Sequence, residues 1–158
     1  EPPMFVDVVN VTSAADMAEV VKSKASEQDI IIMTAAVADF CPSHPADEKI
    51  KKNDSSYESV IELERTEDIL SYLGAHKAKG QLICGFSMET QNMLENSKAK
   101  LAKKNADMIV ANNLKVAGAG FGTDTNVVTL ITADDCTELE IMDKSCVAAR
   151  IMDRLLQM

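Results

Sequence analysis

Two groups of lysines carry the clearest chemistry in this sequence. Glu48-Lys49-Ile50-Lys51-Lys52 sets three lysines in a polar, proline-bearing stretch, and Lys98, Lys100, Lys103 and Lys104 follow at short spacing further on. Lys100 and Lys104 are four apart, so on a helix they share a face. Either group alone reads as a solvated surface. Taken together in an acidic chain, each near a predicted strand end or flap of one sheet, they point to a phosphate clamp, because a polyphosphate most rewards concentrated ammonium groups. The segment Thr34-Ala35-Ala36-Val37-Ala38-Asp39-Phe40 ends an apolar run with small residues and then an acid. Small side chains at a strand exit allow either close approach of a ligand or tight helix packing.

Other motifs carry less. Gly118, Gly120 and Gly122 lead through Asp124 and Asn126 toward a strand. A dinucleotide fingerprint instead needs a preceding strand, a tight turn and a following helix. A flexible loop is the better reading, and a nicotinamide-dependent oxidoreductase stays a distant alternative by fold analogy alone. Neither Tyr57 nor Tyr72 is followed by a lysine four residues on. Gly85-Phe86-Ser87-Met88-Glu89 lacks the second glycine of a nucleophile elbow. His44 and His76 lie in polar segments and read as surface residues. No His, Cys or Asp spacing matches a metal site built by protein side chains, so any Mg²⁺ arrives with phosphates.

The elements that must position these residues follow from periodicity. Residues 6–11 are rich in β-branched residues and predict a strand. Ser13 with Asp16 forms a capping-box pattern ahead of a helix over 14–24. Residues 29–36 form a continuous apolar run expected of a strand buried on both faces, which would complete a βαβ unit. Residues 39–56 predict a long loop or flap, and 57–64 a strand. Thr66-Glu67-Asp68 caps a short helix through Leu73 that Gly74 is expected to end. Strands are predicted over 81–86 and 108–111, with a helix over 95–105 between them. Beyond a glycine-bearing loop at 117–125, strands are expected over 127–132 and 138–142, and a closing helix over 145–156. The fold class is α/β: a Rossmann-like, mostly parallel open sheet with an added antiparallel hairpin and flap. Ligands should bind beyond the carboxyl ends of the parallel strands, near 35–39, 86–90 and 112–113.

Composition sets the outer limits. At 158 residues, 46% hydrophobic and 26% charged, the chain fits one globular domain spanning 1–158. No apolar run approaches the ~20 residues of a membrane span. A net charge of -9 opposes general affinity for nucleic acid or anionic membranes. Cys41, Cys84, Cys136 and Cys146 form no CxxC pair, and the opening residues show no secretory pattern. The expected location is the cytoplasm.

In combination, the residues resemble a known family. Ala35-Ala36-Val37-Ala38-Asp39-Phe40, Glu48-Lys49-Ile50-Lys51-Lys52, Thr66-Glu67-Asp68-Ile69, Gly85-Phe86-Ser87-Met88-Glu89-Thr90, Lys104-Asn105-Ala106-Asp107, Ala111-Asn112-Asn113 and Gly120-Phe121 with Asn126 occur in one order along essentially the whole chain. That order closely resembles bacterial phosphopantothenoylcysteine synthetase, the phosphopantothenate-cysteine ligase of coenzyme A biosynthesis. Phe40 stands where a tyrosine is frequent in that family, and Glu67 where a proline is frequent.

The resemblance implies a homodimer that ligates 4'-phosphopantothenate and cysteine through an acyl-cytidylate, with CTP as co-substrate and Mg²⁺ accompanying it. It implies nucleotide contacts at Met33, Thr34, Ala35, Asp39, Glu67, Asp68, Ile69, Leu70, Phe86, Lys100 and Lys104. Lys49 is implied as the activating lysine, with Ala35 beside it in the catalytic set. A flavin-dependent decarboxylase is the expected fused or associated partner. The family's first βα unit has no counterpart here, so the chain is expected to be N-terminally incomplete. An inactive nucleotide-binding or dimerisation fragment is the alternative that follows.

Overall fold

The computed structural model describes residues 4–46, 48–49, 60–89, 92–113 and 122–158. Helix α1 spans Ala14–Lys24 and starts where the sequence predicts. The Ser13 hydroxyl accepts from the Asp16 amide at 3.1 Å, while the Asp16 carboxylate accepts from the Ser13 amide at 2.9 Å. These reciprocal bonds satisfy two of the donors that a helix start leaves without partners. They also hold the Asp16 carboxyl below its usual range, the Ser13 amide being the largest cause.

The central sheet joins β1 (Ile30–Met33), β4 (Leu82–Glu89), β5 (Met108–Asn113), β7 (Val128–Ile131) and β8 (Cys136–Glu138), in that spatial order. The β1–β4 and β4–β5 pairs are parallel; the last two pairs are antiparallel. Two small ribbons stand apart from it. β2 (Phe40–Pro42) pairs with β3 (Leu63–Arg65), and β6 (Thr125–Asn126) pairs with β9 (Met142–Asp143). The α/β class and the mostly parallel sheet with antiparallel additions are as the sequence predicts.

The pleat of β5 sorts the core into two faces. Met108 and Val110 pack with Cys84, Val128 and Leu130 against Val147, Ile151 and Leu155 of α4 (Lys144–Leu155). Ile109 and Ala111 point the other way, onto Leu101 of α3 (Met93–Lys104). On that second face Ile83 packs against Ile69 and Leu73 of α2 (Ile69–Ala75) and Ala18 of α1. Alternation along one buried strand therefore dictates helices on both sides of the sheet.

Several expectations are corrected. Residues 6–11 form no strand, and Val6, Val8, Val9 and Val11 are exposed. β-Branched residues favour a strand only where a neighbour supplies the ladder, and none of the described strands pairs with this segment. The βαβ unit around α1 is accordingly not formed. β1 is shorter than predicted and half-buried, because it lies at the edge of the sheet. The predicted strand over 57–64 is reduced to β3, which covers only Leu63–Arg65; residues 60–62 are not strand, and 57–59 lie outside the described residues. The strand expected over 138–142 is placed earlier, at β8, and Met142 pairs with β6 instead. Of the predicted flap, residues 47 and 50–56 lie outside the described residues, and Phe40–Pro42 is strand.

Gly74 does not end α2 but packs inside it. A Cβ there would lie 1.8 Å from the Lys104 carbonyl oxygen, so glycine is what allows α2 to sit against the C-terminus of α3. Asn105, with φ 49°, ends α3 and donates from Nδ2 to the Gly74 carbonyl at 2.7 Å. Asp107 then ties the loop to the sheet. Its Oδ2 accepts from the Ile83 amide at 2.7 Å and its Oδ1 from Lys77 at 2.9 Å.

Candidate functional site

The segment leaving β1 and the segment entering α2 are stitched together. The Thr66 amide donates to the Asp39 carbonyl at 3.0 Å, and the Thr66 hydroxyl donates to the Ala38 carbonyl. Asp68 caps α2, its carboxylate accepting from the Ser71 amide at 2.9 Å. Gly85 in β4 lets α2 approach the sheet, since a Cβ there would meet the Leu70 side chain at 2.6 Å. These contacts leave a cleft of about 200 Å³ at the carboxyl end of β1, between α2, α3 and the exit loop.

Met33, Ala35, Val37, Ala38 and Asp39 line one side of the cleft; Thr66, Glu67, Asp68, Ile69 and Leu70 line another; and Phe86, Lys100 and Lys104 complete it. It lies at two of the three strand ends where a ligand is expected. The third, 112–113, is not part of the lining; there Asn112 Oδ1 accepts from Asn126 Nδ2 at 2.9 Å. Thr90 lies outside the described residues.

The lysines on α3 divide as the four-residue spacing predicts. Lys100 and Lys104 reach the cleft, whereas Lys98 and Lys103 are exposed. Lys100 Nζ donates to the Phe86 carbonyl at 3.0 Å. Lys104 Nζ pairs with Asp68 and donates to the Ser71 hydroxyl at 2.9 Å. Partial burial opposes the charge on Asp68, but the Lys104 ammonium and the Ser71 amide outweigh it and hold its carboxyl below the usual range. Glu67, also in the lining, pairs with Lys22 of α1 at 2.8 and 2.9 Å.

Of the residues singled out from the sequence, Met33, Ala35, Asp39, Glu67, Asp68, Ile69, Leu70, Phe86, Lys100 and Lys104 come together here. Thr34 is exposed and outside the lining, and so is Lys49. Lys51 and Lys52 lie outside the described residues. Val37, Ala38 and Thr66 line the cleft without having been singled out as contacts. Ser71 supports Lys104, and its place three residues after the capping Asp68 was the available signal. Lys22 had none, being 45 residues from its partner.

The remaining motifs fall out of contention on geometry. Ser87 lies within β4 rather than on a strand-to-helix turn, and its buried hydroxyl bonds that of Ser97 at 2.9 Å. Gly122, with φ 73°, leads into β6 and not into a helix, while Gly118 and Gly120 lie outside the described residues. His44 and His76 are exposed, His76 stacking on Tyr72. Among the described residues, no group of three or more His, Cys, Asp or Glu could hold a metal ion. No helix among them is long and apolar enough to cross a membrane.

The family described as DNA/pantothenate metabolism flavoprotein C-terminal domain matches residues 1–158. The chain is 46% identical over 156 residues to the coenzyme A biosynthesis bifunctional protein CoaBC of Bacillus subtilis, covering 98% of this chain and 38% of that protein. It is 45% identical over 152 residues to a cysteine/cysteine sulfinic acid decarboxylase from an unknown prokaryotic organism, covering 96% of this chain and 42% of that protein. The crystal structure of the C-terminal domain of a coenzyme A biosynthesis bifunctional protein CoaBC superposes with a TM-score of 0.79 at 42% identity. That match covers 99% of this chain and 70% of the other. The chain thus spans well under half the length of these curated relatives.

Proposed function

The chain belongs to the family of DNA/pantothenate metabolism flavoprotein C-terminal domains, and from that premise we propose that it forms phosphopantothenoylcysteine in coenzyme A biosynthesis, with CTP as co-substrate. The observation that carries this reading is the single cleft. Residues scattered from Met33 to Lys104, singled out for nucleotide contact, line one space at the strand ends of a parallel sheet. Lys100 and Lys104 on one wall can meet phosphate oxygens, and small residues on another leave room for a ligand.

In the proposed reaction a carboxylate oxygen of 4'-phosphopantothenate attacks the α-phosphorus of CTP. The bond to the β-phosphate oxygen breaks, and pyrophosphate leaves with the electron pair. The cysteine amine then attacks the acyl carbon of the acyl-cytidylate, CMP leaves, and the nitrogen gives up a proton. Neither step needs a protein nucleophile; both need charge balance at phosphate oxygens. Lys100 and Lys104 hold the nucleotide, and Lys49 closes over the phosphate where charge develops. Mg²⁺, when bound, would supply charge neutralisation at phosphate oxygens, and it would come with the nucleotide, since among the described residues no group of three His, Cys, Asp or Glu converges on a metal position.

Three further parts belong to the same reading. The hairpin of β2 and β3 exposes Phe40, Val60, Ile61 and Leu63, which supports a homodimer built through residues 57–64 and the 127–142 region. The length of the curated relatives beyond the match, and the decarboxylase name that one of them carries, support a flavin-dependent decarboxylase as fused or associated partner. All four cysteines are free, which supports the cytoplasm.

The test is pyrophosphate release by the full protein with CTP or ATP. CTP should be preferred, and release should require 4'-phosphopantothenate. Turnover with ATP that equals or exceeds turnover with CTP removes the CTP assignment, and release independent of phosphopantothenate removes the ligase. Lys49→Gln keeps most of the side-chain length without the charge. It should cost about a hundred-fold in turnover, the usual loss for one stabilising contact in the transition state. Turnover within a few-fold of the parent would return the 48–52 segment to a solvated loop.

A further inference from the structure

The charges around the cleft do not favour an anion as they stand. Its lining includes three carboxylates, on Asp39, Glu67 and Asp68, and two ammonium groups, on Lys100 and Lys104. Lys104 is already paired with Asp68. Glu67 is half-exposed and would repel a polyphosphate entering beside it. Lys22 meets it from outside the lining, with Nζ 2.8 Å from one carboxylate oxygen and 2.9 Å from the other.

Lys22 is itself held in place. Its ammonium lies 4.8 Å from the centre of the Tyr72 ring, and that ring stacks on His76. It is a residue of α1, whose start is fixed by the Ser13–Asp16 capping box. The bond to Glu67 raises the Lys22 pKa, so the ammonium stays charged wherever Glu67 is charged. A cation on a neighbouring helix thus covers both oxygens of a carboxylate at the mouth of the cleft.

We propose that Lys22 is a positioning residue for nucleotide binding: it draws the Glu67 carboxylate toward α1 and cancels its charge, so that a nucleoside triphosphate can enter the cleft. This rests on the reading of the cleft as a nucleotide site. Lys22 touches neither substrate nor reacting atoms. Its effect is electrostatic, acts on the ligand through Glu67, and grows with the charge of the ligand.

The experiment is calorimetric titration of CTP with Mg²⁺ into the full protein, compared among the parent, Lys22→Gln and Lys22→Arg. Lys22→Gln should weaken CTP binding about three- to tenfold, the scale of one uncompensated charge near the rim of a solvated cleft. CMP should lose less than CTP. Lys22→Arg, which keeps the cation, should bind CTP like the parent. The ratio of Lys22→Gln to parent dissociation constants should shrink between about 50 mM and about 500 mM salt, as screening removes the repulsion. Equal losses for CMP and CTP, or a loss that salt leaves unchanged, would show a mere brace between α1 and α2 and overturn the proposal. So would Lys22→Gln binding CTP like the parent. Absence of CTP binding by the parent would instead overturn the nucleotide reading itself.

Discussion

The α4 face of the sheet and the β2–β3 hairpin both carry apolar side chains, and these end in opposite states. On the α4 face Cys84, Met108, Val110 and Val128 are fully buried beneath Leu155 and Ile151. On the hairpin Phe40, Ile61 and Leu63 stand in solvent. What separates the states of these apolar side chains is the presence of a covering partner. The contrast reaches single atoms. Burial, and to a lesser degree the Asp107 charge, pushes the Cys84 thiol up to about 12, while Cys41 on the hairpin is only half-buried. The cleft lies between these regions and takes a wall from each: Phe86 from the closed sheet, and Asp39 and Thr66 from the two ends of the hairpin.

The same substitution in both regions should break the symmetry most clearly. Leu155→Ala removes a buried side chain from the α4 face and should cost about 2 to 5 kcal/mol in chemical denaturation. A loss under about 1 kcal/mol would mean that the face repacks and is not the closed region described. At the boundary, Asp68→Asn keeps a capping side chain on α2 but loses the charge that faces Lys104. The depressed carboxyl adds stability that is full above its unfolded value near 3.8 and is lost as pH falls through the lower folded value. The variant should therefore be less stable than the parent at neutral pH, with the difference vanishing below the folded pKa. Solvent screening of this half-exposed pair keeps the effect under about 1 kcal/mol. Denaturation curves at pH 7 and at acid pH measure it, and an equal offset at both would assign the effect to the cap instead of the charge.

Leu63→Ala on the hairpin should have the smallest effect on unfolding, within about 0.5 kcal/mol for an exposed side chain. Its consequence should appear in association. Light scattering at micromolar concentration should give a dimeric mass for the parent and a lower mean mass for the variant. A parent that scatters as a monomer would leave the hairpin without the partner proposed for it.

The sequence by itself determined the features whose causes lie within a few residues or one strand period. Ser13 and Asp16 fixed the start of α1, the 108–111 run fixed a buried strand, and the spacing of Lys100 and Lys104 placed both on one helix face. The parallel α/β class followed from the order of such segments. Only the tertiary structure decided what depends on a distant partner. It paired Lys22 with Glu67, turned Gly74 from an expected helix stop into the contact of α2 with Lys104, and left residues 6–11 without a strand to join. The reason is the range of the forces that each pattern records. Capping and periodicity act between neighbours in sequence, whereas ladder bonds, ion pairs and close backbone approach depend on which segments meet after the chain has folded.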